Sequence, residues 1–138
     1  MTTDRKGLAI ILHSGSYDRL YHGLSLALAA SALGREVRLF FSYWALGCMK
    51  KNEPSLFNLD REAQAHQEII DKNIKAGHMR KLGELFTQAK ELGVKFYACT
   101  QSMGLLNISR DELVNEIDKS MGITTFLAEV SGDQLLFI

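Results

Sequence analysis

Three short, almost uninterrupted apolar runs, residues 7–13, 36–43 and 94–99, constrain this chain more than any other feature. Runs of that length and composition read as strands buried on both faces. The segments between them change period. Over residues 18–33, Leu20, Leu24, Ala27, Leu28 and Ser31 recur at helical spacing, and Gly34 follows. Over residues 79–92, Met79, Leu82, Leu85, Phe86 and Ala89 share one helical face, and Gly93 follows. Further on, Ser109 and Glu112 form a Ser-x-x-Glu capping box, which predicts a helix to about Met121 with Gly122 as its stop. Residues 123–130 then read as a fourth strand, 131–133 as a turn and 134–138 as a short last strand. Residues 44–49 fit either a short helix or a loop, and 60–77 a polar helix or insertion. Strands alternating with helices predict crossover connections, a mainly parallel sheet and helices on both faces.

A chain of 138 residues without repeats or low-complexity segments is expected to form one domain, residues 1–138. Lys+Arg and Asp+Glu both number 16, so the formal net charge is zero, and a basic footprint for general nucleic-acid binding is missing. Met1 to Lys6 is polar, so no secretory signal is expected. The longest charge-free apolar stretch, residues 39–49, is too short for a membrane helix of about 20 residues. Stable membrane insertion is not expected, and a cytoplasmic location is. Two cysteines do not make a disulfide scaffold.

In parallel α/β folds, chemistry sits beyond the carboxyl ends of the strands. That rule selects four places: residues 13–16, 43–49, 99–104 and the turn near Ser131. Cys99 ends the third strand and precedes Thr100, Gln101, Ser102, Met103 and Gly104. Backbone N–H groups in such a turn can stabilise a thiolate or a terminal persulfide anion; the competing reading is a buried structural cysteine. Cys48 is a candidate second thiol for exchange with Cys99, or a small apolar residue in a packed turn. His13 is a candidate proton carrier, since imidazole titrates near neutrality. It opens His13-Ser14-Gly15-Ser16, where Ser14 and Gly15 could hold an anion at a helix start; the alternative is an ordinary polar turn. Neither a dinucleotide nor a P-loop signature is present. His22, His66 and His78 show no ligand-like spacing, so no metal and no other cofactor is expected. The aromatic-rich stretch around Trp44 carries more apolar surface than one small domain buries, which predicts a homo-oligomer.

Residues Phe40-Phe41-Ser42-Tyr43-Trp44-Ala45-Leu46 and Phe96-Tyr97-Ala98-Cys99-Thr100-Gln101-Ser102-Met103-Gly104 together resemble the DsrE/DsrF-like family of sulfur-relay proteins. They are most like the branch formerly labelled peroxiredoxin-related, although the thiol-peroxidase motif is absent. The resemblance extends over most of the chain. It implies a three-layer α/β/α fold, flavodoxin- or Rossmann-like, with a five-stranded, mostly parallel sheet. It implies trimers, tetramers or hexamers. It also implies a sulfur carrier or sulfurtransferase that holds sulfane sulfur as a persulfide or thiosulfonate on Cys99. Sulfur would pass between a rhodanese-like donor and a TusA-like carrier. The alternatives are a non-catalytic docking subunit for such a carrier, or an anion or nucleotide sensor built on the Ser14-Gly15-Ser16 loop.

Overall fold

The computed structural model describes residues 5–51 and 58–138. Five strands form one sheet: β1 (Leu8–Leu12), β2 (Val37–Phe41), β3 (Lys95–Cys99), β4 (Lys119–Met121) and β5 (Gln134–Phe137). Their order across the sheet is β4-β3-β2-β1-β5, and every neighbouring pair is parallel. The helices are α1 (Tyr17–Ala32), α2 (Tyr43–Gly47), α3 (Arg61–Gln64), α4 (Gln67–Lys75), α5 (Leu82–Glu91), α6 (Thr100–Leu106) and α7 (Ile123–Glu129).

The order dictates the layers. Three successive right-handed crossovers step from β1 to β4 in one direction, so the helices within them lie on one face. There α1 and α5 pack side by side, and Leu20, Leu24, Leu85 and Phe86 join Leu39, Phe41 and Phe96 of the sheet in the main core. Gly34 (φ +83°) and Gly93 (φ +86°) take the left-handed conformation that ends α1 and α5. The connection from β4 back to β5 runs the other way and puts α7 on the opposite face. This second cluster is small: Ala9, Phe40, Tyr97, Cys99, Met121, Phe126 and Val130. Phe126 stacks on Phe40 with ring centroids 4.5 Å apart. Among the described residues nothing covers the half of this face over β1 and β5, where Leu135 and Phe137 of β5 are exposed beside the partly exposed Ile11.

Two expected elements are not what forms. The Ser109–Glu112 capping box is present, with the Ser109 N–H donating to Glu112 Oε1 at 2.9 Å. It opens only a 3₁₀ turn, Arg110–Glu112, rather than a helix to Met121. Long-range pairing stops it: Leu113 turns extended and bridges Lys50, and the Val114 N–H donates to Met49 O. The chain then enters the sheet as β4. Residues 123–130, expected as a strand, form α7. Phe126 and Val130, one helical turn apart, face the sheet, while Ile123 and Leu127 face outward. Here a helical period overrides the β-branched composition. In the stretch that fitted helix or loop, α2 forms, and 60–77 becomes α3 and α4. The polar Asn52 and Glu53 and the single proline, Pro54, lie outside the described residues.

Candidate functional site

Cys99 is both the last residue of β3 and the N-cap of α6. Its side chain points to the face covered by α7 and is 5 % exposed. The Ser102 backbone N–H donates to Cys99 Sγ at 3.5 Å. Of the expected anion-binding segment, Thr100, Gln101, Ser102, Met103 and Gly104 all lie in α6, so they form a helix start rather than an open turn. Thr100, Gln101 and Gly104 face outward, Ser102 is buried, and Met103 packs partly into the main core.

The register shows what stands beside Cys99. Leu12 faces Phe41, Phe41 faces Ala98, and Cys99 faces Met121. One residue beyond, His13, Ser42, Cys99 and Met121 form a row across four strands. Ser42 keeps the extended ladder, its N–H donating to Leu12 O at 2.9 Å, and it is buried. His13 is two strands from Cys99, about 10 Å between backbones. A proton passing between them must use Ser42, a water or the incoming sulfur donor. The His13 ring instead contacts Tyr43 (4.6 Å) and Phe137 (5.7 Å). Tyr43 is backbone-strained at φ +46°, and its N–H donates to Ser102 Oγ at 2.8 Å.

Cys48 lies elsewhere. It belongs to the main core and is the C-cap of α2. It lines a pocket of about 370 Å³ with Ser14, Gly15, Ser16, Asn58 and Asp60. Its thiol donates toward Gly15 O and Trp44 O, both at 3.5 Å, and Asn58 Nδ2 donates to Sγ at 3.8 Å. Gly15 is required there: a Cβ would stand 2.7 Å from Trp44 O and 3.2 Å from Cys48 Sγ. Ser14 Oγ accepts the Ser16 N–H at 3.1 Å. The two cysteines thus sit in separate clusters on opposite faces of the sheet. Ser14 and Gly15 accompany Cys48, not Cys99.

Sequence patterns single out neither Ser42 nor Asn58; Tyr43 falls in the selected 43–49 stretch without its left-handed backbone being signalled, and Ser102 is expected for its amide while its hydroxyl also takes part. A left-handed aromatic residue carries no sequence signature, and Ser42 becomes relevant only through register. Among the described residues, no group of three or more His, Cys, Asp and Glu is arranged to hold a metal ion. Nor is any helix among them long and apolar enough to cross a membrane.

The geometry can be set beside known proteins. A family model described as the DsrE/DsrF/DrsH-like family matches residues 4–63 and 56–137. The uncharacterized protein YrkE of Bacillus subtilis is 29 % identical over 161 aligned positions, covering 100 % of both chains. The sulfur carrier protein DsrE2 of Allochromatium vinosum is 24 % identical, covering 98 % of this chain and 99 % of its own. Among solved structures, the ychN protein of E. coli superposes with a TM-score of 0.68 at 14 % identity, over 97 % of this chain and 100 % of its own.

Proposed function

Since this chain belongs to the DsrE/DsrF/DrsH-like family, we propose that it is a sulfur carrier holding sulfane sulfur on Cys99. The observation that carries the reading is the position of that thiol. It ends a central parallel strand, where such folds place their chemistry, and its sulfur already accepts the Ser102 N–H. The similarity to a protein named a sulfur carrier points the same way.

In the loading step the Cys99 thiolate attacks the outer sulfur of a donor R–S–S⁻. A new S–S bond forms at Cys99, the donor S–S bond breaks, and R–S⁻ leaves with the electron pair. The product is Cys99–S–S⁻, with no net oxidation. An acceptor thiolate reverses the same exchange. The first-turn amides of α6, those of Thr100, Gln101 and Ser102, supply donors to the terminal sulfur, while those of Met103 and Gly104 are taken up within the helix, and His13 handles protons at the donor or acceptor. A rhodanese-like donor and a TusA-like acceptor, met in the cytoplasm, are the partner classes this reading names. The bare apolar strip of Ile11, Leu135 and Phe137 supports a homo-oligomer, because a parallel sheet is normally covered on both faces.

The burial of Cys99 favours one rival, a docking subunit that binds a carrier without loading sulfur itself. Intact mass spectrometry after separate incubation with thiosulfate, tetrathionate and polysulfide decides. Wild type should gain a reducible persulfide or thiosulfonate that Cys99→Ala does not. Full loading of Cys99→Ala, with loss in Cys48→Ala, would move the site to Cys48. No gain from any donor supports the docking subunit.

A further inference from the structure

Among the described residues, only Tyr43 and Asn107 have positive φ without being glycine. Asn107 is the C-cap of α6, where asparagine takes this conformation readily. Tyr43 has no such excuse. A bulky aromatic residue at φ +46° persists only where its surroundings hold it. The holding contact is the Tyr43 N–H donated to Ser102 Oγ at 2.8 Å. Ser102 is 1 % exposed, and its own N–H donates to Cys99 Sγ. One buried serine therefore touches the strained turn with its hydroxyl and the thiol with its amide.

The neighbouring parts are firmly placed. Strands β2 and β3 are locked in their ladder, and Phe126 anchors α7 on Phe40. The corner at residues 42–44 is different. It is strained, and it presents Tyr43 and Trp44 to solvent at 37 % and 56 % exposure. Cys99, at 5 %, cannot meet a partner sulfur until something near it moves.

We propose that Ser102 is a positioning residue that latches the Tyr43 turn to Cys99, and that release of this latch opens the thiol to its donor and acceptor. The proposal rests on the reading of Cys99 as the sulfur-carrying thiol. A partner that engages the exposed Tyr43 and Trp44 rings pulls on the latch directly, which ties access to docking.

Alkylation by iodoacetamide, read peptide by peptide so that Cys99 and Cys48 are followed separately, tests the latch without any sulfur donor. Ser102→Ala should raise the Cys99 rate about tenfold or more by freeing a strained turn, with the Cys48 rate unchanged. Ser102→Thr, which keeps the hydroxyl, should restore the wild-type rate. Glycine adopts a positive φ without strain, so in a Tyr43→Gly background Ser102→Ala should lose most of its effect, leaving under about threefold in a double-mutant cycle. A Ser102→Ala rate within about twofold of wild type, threonine behaving like alanine, or an undiminished effect beside Tyr43→Gly each overturns the proposal. Should Ser102→Ala fail to fold, amide exchange in the unaltered protein decides: the Tyr43 N–H should be protected about 100-fold or more, and free exchange overturns the latch. If instead Cys99 never loads sulfur while the latch effects appear, the function is wrong and the latch stands.

Discussion

Phe126→Ala is the most informative perturbation of the fold, because α7 is the helix covering its face of the sheet among the described residues. Within α7 only Phe126 is buried, and Val130 follows at the C-cap. The ring is fully buried, stacks on Phe40 at 4.5 Å and meets Tyr97 edge-on at 6.1 Å. Truncating such a side chain removes its transfer energy and leaves a cavity, together about 3–5 kcal/mol. That is a large share of the ~5–15 kcal/mol that holds a domain folded. In urea, at a slope of about 2 kcal/mol/M, the midpoint should fall by roughly 2 M at fixed protein concentration. Phe126→Leu refills part of the space and should recover at least half of the loss. Because Cys99 and Met121 belong to the same cluster, the alanine variant should also expose Cys99 to alkylation. A loss below about 1 kcal/mol with an unchanged slope would refute the reasoning, because it would mean that α7 is not anchored by this ring.

Three further outcomes follow from particular contacts. Gly15→Ala drives a Cβ to 2.7 Å from Trp44 O, and should cost about 1–3 kcal/mol in thermal unfolding and alter Cys48 reactivity. The Tyr17 hydroxyl, which donates to Arg80 O at 2.6 Å, has its pKa pushed up to about 12, chiefly by burial. Its folded value is raised, so its contribution is full below the ordinary tyrosine pKa of about 10 and is lost as pH climbs toward 12; Tyr17→Phe should remove that alkaline limb from urea midpoints taken against pH. Asp60 caps α3 by accepting the Ala63 N–H and pairs with Arg19, and both hold its carboxyl below the usual range. Its contribution is present above the ordinary carboxylate pKa and fades as pH falls through the lowered value, so Asp60→Asn should flatten the acid limb of the same curve.

The sequence was informative where one local signal and the final packing agree. The strands β1, β2 and β3 are legible as apolar runs because one face of each meets the main core while Ala9, Phe40, Tyr97 and Cys99 on the other meet the smaller cluster, and α1 and α5 show their period because one side of each meets the sheet. The alternation breaks down after Asn107. There the capping box of Ser109 and Glu112 is real, yet Leu113 pairs with Lys50 across the chain, and no local pattern contains that partner. In α7 the β-branched Ile123, Thr124 and Thr125 argue for a strand, while the helix is decided by where Phe126 and Val130 land. The site divides in the same way. Cys99 stands out by its place at a strand end, but spacing alone does not separate it from Cys48, since the face of the sheet each thiol occupies depends on register and crossover hand. The left-handed backbone of Tyr43 is hidden in the sequence because the partner of its N–H, Ser102, lies 59 residues away.

The strand order also sets a timetable for synthesis. Strand β1 is made first, and β2 can join one of its edges early, but the other edge belongs to β5 at residues 134–137. Roughly ninety residues separate β2 from β5, and at ~5–20 residues per second the ribosome takes about 5–20 s to produce them. For that interval the nascent chain exposes the unpaired edge of Leu8–Leu12, its most apolar strand, to any other extended chain nearby. A newborn copy is therefore most at risk of pairing wrongly before its last strand emerges, and a factor that shields the amino-terminal strand should raise the yield of folded protein more than one that acts later.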